Sequence, residues 1–263
     1  MLDLFVMIGT SFALSICLMF LLWIIFCFVR KAALAELGWI AAFVLTTWVY
    51  LFIGNGHWLK KTVIVVMATI WGGRLFVHLC KRFKESAANW RYRELLQAWG
   101  NENIEFKYLL LFVFQGSLVP ILSLPILIVC HCSLNTWGWC EGLGIWIWSM
   151  GVLGETIADL QLEKFKKDPK NINEICHEGL WRYSRHPNYF FEWLVWTGYF
   201  VFGLGTAWGI LGIVSPALML VFLYKVSGIP LSETHALQTK GQAYQDYQKS
   251  TNAFVPWFPK QKQ

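Results

Sequence analysis

The chain has little charge for its length. Of its 263 residues only 14% are Asp, Glu, Lys or Arg, against about 25% in globular proteins, and 56% are hydrophobic. The sequence also has no internal repeat and no low-complexity tract. This composition excludes a water-soluble domain and a disordered chain. The net charge of +6 is better explained by membrane topology than by a nucleic-acid partner, which we do not expect.

Metal-ligand patterns are missing as well. The seven cysteines form no CxxC pair and no zinc-ligand spacing. Cys130-His131-Cys132 is the only metal-like cluster in the sequence, and it has no partner cluster. The sequence therefore predicts no metal site. A disulfide of Cys132 or Cys140 is expected only if that loop faces an oxidising compartment.

What the sequence does have is long apolar runs, several near or above the ~20 residues that cross ~30 Å of hydrocarbon. The first run lacks a basic flank before it and exceeds the roughly 7–15 residues of a signal-peptide core, so we expect a retained helix. The prediction is an all-α, polytopic integral membrane protein, with one membrane-embedded domain over residues 1–263. Seven helices are predicted, over residues 4–29, 36–54, 60–80, 108–130, 142–161, 188–203 and 208–226.

The positive charges predict an orientation. If the helices alternate in direction, one set of loops holds 19 of the 22 Lys and Arg residues, whereas the other set holds only Lys60 and Lys61. Positive charges accumulate on the cytoplasmic side, so the N-terminus is predicted outside and the C-terminus in the cytoplasm. Which membrane hosts the chain stays open. The basic loops are residues 30–35, 81–107, 162–187 and 225–263.

Polar residues inside the predicted spans cost about 2.5–3.5 kcal/mol each on insertion scales and usually mark function. With the predicted orientation they all fall in the cytoplasmic half, which predicts a polar cavity open to the cytoplasm. Glu155 and Asp159 share a helical face. An alternative is that they staple helices together by pairing with Arg74, Arg182 or Arg185. The polar residues are Arg74, Gln115, Glu155, Asp159, Glu192 and Lys225.

The segment GLWRYSRHPNYFFEW (179–193) places cations and aromatic rings before an apolar run. Pro187 is suited to the first turn of a helix. The first N–H groups of that helix have no intrahelical partner, and with Arg185 and His186 beside them they predict an anion site. Trp181 and Tyr189 offer flat faces for a base or nicotinamide ring. The alternative is an interfacial aromatic belt with snorkelling cations.

The polar tail that follows is predicted to cover the cavity. It carries GQAYQDYQK (241–249), a predicted short helix with Tyr244 and Tyr247.

Several of these segments resemble a known family in their order and spacing. They are DLQLEKFKKDPKN (159–171), GLWRYSRHPNYFFEW (179–193), SGIPLSETHA (227–236) and AYQDYQKSTNAFVPWFP (243–259). They are similar to the C-terminal region of the steroid 5-alpha-reductase family, in its DUF1295 branch. WGGRLFVHLCKRF (71–83), WRYRELLQAWG (90–100) and residues 115–125 extend the resemblance to about residues 70–260.

The resemblance implies a multi-helix membrane oxidoreductase. Such an enzyme takes hydride from NADPH and reduces a carbon–carbon double bond in a steroid, sterol or polyprenoid lipid. Candidate proton donors are Glu155, Tyr50 and Tyr189. The positions that match the family's NADPH site are Asp159, Trp181, Arg185, His186, Asn188, Tyr189, Glu192, Tyr244 and Tyr247, with Lys164 and Lys167 near the phosphates.

The chain departs from the family in two places, and two other functions stay open. The second span has no acid beyond Glu36 at its start, which disfavours a 3-oxo-steroid, and Thr234 and His235 replace basic residues. Isoprenylcysteine carboxyl methyltransferases, which use S-adenosylmethionine, share the RHPxY element, but their tails carry paired glutamates where this tail has Glu233 alone. A non-catalytic lipid-binding membrane protein is the third possibility. The expected partners are membrane lipids and a lipid-like substrate, and the oligomeric state is open.

Overall fold

The protein is all-α in the parts of the chain that its computed structural model describes, which are residues 2–84, 102–134, 136–172 and 174–260. No strand occurs among these residues, so the predicted all-α class is confirmed. The segment WRYRELLQAWG (90–100) lies outside them. The helices are α1 (Leu2–Val29), α2 (Leu34–Ile53), α3 (Trp58–Lys84), α4 (Ile104–Leu122), α5 (Leu124–His131), α6 (Trp139–Lys167), α7 (Pro187–Gly203), α8 (Val214–Val221), α9 (Ile229–Lys240) and α10 (Gln242–Ser250).

Five helical runs in the described residues are long and apolar enough to cross a membrane. By length and composition they fit a multi-pass membrane protein. The predicted total of seven stays a prediction, because α6 and α7 are not among these five runs, and α7 has only 17 residues. The five runs are Asp3–Val29, Leu34–Ile53, Trp58–Lys81, Ile104–Leu122 and Gly209–Lys240.

The chain divides into two compact units. The first contains Met1–Trp137 and Gly203–Val214, and the second contains Gly138–Phe202 and Ser215–Gln263. The single domain expected over residues 1–263 stays a prediction.

The first unit is built around α1, which packs on α2 and α4. Its core brings the ring of Phe26 to within 4.3 Å of Tyr108 and 5.9 Å of Phe112, measured between ring centroids. The helix is interrupted at Ser123, between α4 and α5, where Pro120 precedes the break and Pro125 follows it. The Ser123 hydroxyl donates to the carbonyl of Pro120 over 3.3 Å.

The second unit is organised by α6 and α7, which run antiparallel with their backbones in close approach. A β-carbon on Gly151 would lie 2.8 Å from the backbone nitrogen of Val195, and one on Gly154 would lie 2.2 Å from the ring of Phe191. Small residues at such positions let helices pack tightly in membranes.

The remaining elements of the second unit lead from α8 to the tail. Residues Phe222–Val226 form a π-helical turn after α8, and α9 begins at Ile229 after Gly228. A β-carbon on Gly228 would lie 2.3 Å from the carbonyl oxygen of Leu223, so this turn requires glycine. Helix α10 then carries Tyr244 and Tyr247 as predicted, and both are buried.

Candidate functional site

The centre of the candidate site is a buried ion pair between Arg185 and Glu233. Nε and Nη2 of Arg185 each lie 2.7 Å from Oε1 of Glu233, and the two side chains are only 10% and 16% exposed. Nη1 of Arg185 donates to the carbonyl of Gln248 over 3.1 Å and to that of Thr251 over 2.5 Å. Charge-assisted bonds of this kind are about twice as strong as neutral ones. Arg185 therefore pairs with Glu233 rather than with Glu155 or Asp159.

Glu233 also accepts two further hydrogen bonds. Nε2 of His186 lies 3.2 Å from Oε1, and Nε2 of Gln248 donates to Oε2 over 2.8 Å. Because an ionised carboxylate only accepts, Nε2 of His186 carries the proton in this contact. The His186 ring stacks on Tyr189 with a centroid distance of 5.3 Å and an interplanar angle of 6°. One carboxylate thus orients an arginine, a histidine and an amide.

Helix α7 begins at Pro187, as the sequence predicts. The expectation that the first N–H groups are open to an anion does not hold for two of them. The N–H of His186 donates to the Ser184 hydroxyl over 3.1 Å, and that of Tyr189 donates to Oδ1 of Asn188 over 3.1 Å. The N–H of Phe190 makes the first intrahelical bond, to the His186 carbonyl over 3.3 Å. The chain itself therefore supplies these acceptors.

Asn188 links the start of α7 to α6. Its Nδ2 donates to Oδ1 of Asp159 over 3.3 Å. One turn further along the same faces, Glu155 and Glu192 lie level with each other, because the glycine contacts pair residue 154 with 191 and residue 151 with 195. Both acids are buried, and Oε1 of Glu192 accepts from the indole N–H of Trp196 over 2.8 Å.

The Trp181 side chain is buried in the protein and is not exposed at the surface of the candidate site. Its indole N–H donates to the carbonyl of Ala158 over 2.9 Å, and the residue is 8% exposed. The Tyr247 hydroxyl donates to the carbonyl of Trp181 and lies 3.3 Å from that of Ser184. Little of the indole face is left for a ligand, so Trp181 positions the 3₁₀ turn Gly179–Arg182 against α6.

Tyr244 and Tyr247 are neutral hydrogen-bonding groups. Burial raises the pKa of the Tyr244 hydroxyl, and the charge of Glu233 raises it further. Burial also raises the pKa of Tyr247, with Tyr244 as the next cause. Both phenols therefore keep their protons well above neutral pH.

The C-terminal tail is part of the same site. Its backbone runs alongside residues 183–185 in the opposite direction, so the tail covers the loop that leads into α7. The bonds are Arg185 N–H to Asn252 O at 2.9 Å, Ser184 Oγ to Phe254 O at 2.8 Å, and Trp257 N–H to Tyr183 O at 2.9 Å.

The remaining predicted residues lie at the edges of the site or outside it. Lys164 and Lys167 are exposed at the end of α6, where Lys167 pairs with Glu163 over 2.6 Å. Tyr50 belongs to the first unit, where it is fully buried and its hydroxyl lies 3.1 Å from that of Ser123. The other ten predicted residues, Glu155 among them, belong to the second unit. Tyr50 is therefore the one predicted catalytic residue that this unit does not contain.

Four site residues were not predicted. Glu233 and Gln248 hold Arg185 and His186, Ser184 holds the start of α7, and Ser232 lies 2.9 Å from the Tyr189 hydroxyl. The only sequence signal for this group is that Glu233 is the one acid in SGIPLSETHA.

Comparison with known proteins gives a family and a distant relative. A family model described as "Protein of unknown function (DUF1295)" matches residues 22–251. An uncharacterized protein of Schizosaccharomyces pombe is 23% identical over 184 residues, which cover 59% of this chain and 52% of that protein. The chain thus spans about half the length of this curated relative. No solved structure matches.

Proposed function

The chain belongs to the DUF1295 family, and we propose that it is an NADPH-dependent membrane reductase of a carbon–carbon double bond in a hydrophobic, lipid-like substrate. One observation carries this proposal. The residues that match the NADPH site of the steroid 5-alpha-reductase family come from three separate segments, around 159, 181–192 and 244–247, and all lie in one compact unit. There they are joined through Asp159–Asn188, Trp181–Tyr247 and the Glu233 carboxylate.

The groups at the site suit a dinucleotide. The exposed ammonium groups of Lys164 and Lys167 supply charge for phosphates. The half-buried Asn188 and Asp159 supply an amide and a carboxylate for a carboxamide or ribose. Bound NADPH supplies the hydride, and the protein supplies binding, orientation and electrostatics.

The proton must come from a group of the protein or from water. Reduction of a double bond adds a hydride to one carbon and a proton to the other. Tyr189 is the candidate donor within the hydrogen-bonded network, Glu155 lies one turn deeper on α6, and Tyr50 belongs to the first unit. Replacing each in turn by Phe or Gln identifies the donor, because only that variant loses turnover while it still binds NADPH.

The finer membrane topology belongs to the same proposal. Seven spans with the N-terminus outside would place α6's basic end, the start of α7 and the tail on the cytoplasmic side. The Lys and Arg distribution supports this orientation. A cavity that opens there would receive a soluble dinucleotide from the cytoplasm and a lipid-like substrate from the bilayer.

A titration of the purified protein tests the proposal. Saturable NADPH binding is expected, and Asn188→Ala should weaken it by about fivefold, since a neutral hydrogen bond contributes about 1 kcal/mol. Lys249→Ala is the control, because that exposed lysine pairs only locally with Asp246 in α10. Absence of saturable NADPH binding would overturn the proposal. Binding of S-adenosylmethionine instead would support methyl transfer, and NADPH binding without turnover of any enoyl lipid would support a non-catalytic protein.

A further inference from the structure

We infer that Glu233 is a positioning residue of the proposed cofactor site, and that its ion pair with Arg185 fastens residues 241–254 to the start of α7. The pair is called the latch below. That this ion pair fastens the segment to α7 does not depend on the proposed function. The effect of the ion pair on NADPH affinity does rest on that function.

Most N–H donors of the Arg185 guanidinium already bind groups of the protein. An arginine side chain has five N–H donors. Nε and Nη2 bind Glu233, and Nη1 binds the carbonyls of Gln248 and Thr251. A bidentate contact of Arg185 with phosphate would break the pair and leave Glu233, which is 16% exposed, without its main cation. Uncompensated buried charges are strongly destabilising. Arg185 therefore acts by holding the site together.

The latch also completes the end of α10. The last carbonyls of a helix have no intrahelical partner, and a cation is favourable there. Arg185 supplies both a donor and a positive charge to the Gln248 and Thr251 carbonyls. Glu233 holds the same helix through a side chain, by accepting from the Gln248 amide. The two halves of the ion pair thus fix α10 by different groups.

Glu233 fixes the candidate functional side chains as well. Its carboxylate orients His186, whose ring stacks on Tyr189. The hydroxyl of Tyr189 is bonded to Ser232, the neighbour of Glu233 on α9. The Tyr189 side chain is therefore held at its hydroxyl by Ser232 and on its ring face by His186, which Glu233 orients. Loss of the Glu233 carboxylate should loosen His186, Tyr189 and the tail together.

Hydrogen exchange of the full chain in detergent tests the latch directly. In Glu233→Ala, amide exchange of peptides within residues 241–256 should rise by about tenfold or more, because local opening becomes easier. Glu233→Gln keeps the shape and part of the hydrogen bonding, so an intermediate rise is expected. If Glu233→Ala does not fold, Glu233→Gln alone decides the question. Asp246→Asn is the matched control, since Asp246 is exposed in the same segment and pairs with Lys249.

The kinetic constants for NADPH distinguish a positioning role of Glu233 from a role in overall stability alone. In Glu233→Gln the KM for NADPH should rise by about tenfold, the change that a loss of 1.4 kcal/mol produces, while kcat changes by less than about twofold. A purely structural defect would lower kcat per protein and leave KM unchanged, and that result would overturn the positioning role. Unchanged tail exchange in both Glu233 variants would overturn the latch. If the wild type binds no NADPH, the proposed function fails while the exchange measurement still decides the latch.

Discussion

Gly144 of α6 faces the backbone of Phe202 of α7 so closely that a β-carbon on Gly144 would lie 2.5 Å from the Phe202 nitrogen. The obstacle is main chain, which cannot rotate away as a side chain can. This approach and the similar ones at Gly151 and Gly198 set the register of the two helices that carry the candidate site.

Gly144→Ala is expected to destabilise the protein by about 1–3 kcal/mol, the usual range for overpacking. Gly142→Ala is its control, because a β-carbon there meets nothing within 4 Å. Thermal unfolding in one detergent compares the two variants. An equal melting temperature for Gly144→Ala and Gly142→Ala would contradict the close approach.

Alanine variants of Gly179 and Gly241 separate the cost of backbone strain from the cost of a steric conflict. Both adopt positive φ, 56° and 52°, where an L side chain is strained, and each Ala variant should lose about 1–3 kcal/mol for that reason. Only at Gly179 would a β-carbon also meet a neighbour, the Gln161 amide at 2.2 Å, while Gly241 faces open space. Gly179→Ala should therefore lower the melting temperature more than Gly241→Ala. The reverse order would show that the Gln161 contact is unimportant.

Tyr247 should make stability fall at high pH. Its pKa is raised by burial above the ordinary value of about 10. A raised folded-state pKa gives stability that is fully present below pH ~10 and is lost as the pH rises above it, by up to about 1.4 kcal/mol per pH unit for each such group. Tyr247→Phe should flatten this decline between pH 10 and 11.5, although Tyr244 still contributes. An unchanged slope of melting temperature against pH would contradict the prediction.

Exchanging the side chains of Asp159 and Asn188 tests whether the two residues interact directly. In Asn188→Asp a second carboxylate would replace the amide that now lies 3.3 Å from Oδ1 of Asp159. Two negative charges at that spacing repel each other. The double variant Asp159→Asn with Asn188→Asp restores one amide and one carboxylate. It should recover most of the lost melting temperature and NADPH affinity. Additive losses in the two single variants and the double variant would argue against a direct interaction.

Much of the helical layout could be predicted because long apolar runs have few alternatives. Helix α1 was expected from residue 4 to 29 and spans Leu2–Val29, and Pro187 correctly marks the start of α7. The helix of Tyr244 and Tyr247 was also predicted. Helix α9 was not, because IPLSETHALQTK mixes polar and apolar residues without one clear face.

The partners within the site could not be predicted. Glu233 lies 48 residues from Arg185 in the chain. No pattern in a single sequence selects it as the partner of Arg185 over Glu155 or Asp159. The occupied N–H groups of α7 were missed for a local reason. Asn188 was predicted to bind the cofactor, whereas its Oδ1 accepts from the backbone N–H of Tyr189, and Ser184, which was not predicted, accepts from the backbone N–H of His186.

The tail's backbone bonds to residues 183–185 also bear on how the protein is handled in the laboratory. Lys260 is still tied to the molecule through its N–H bond to the carbonyl of Ser250, at 2.8 Å. An affinity tag or fluorescent protein fused close to Lys260 would therefore lie next to a residue that is fixed to the molecule. For binding and exchange measurements, a cleavable tag or a long flexible linker at that end keeps the fusion partner from pulling on the site.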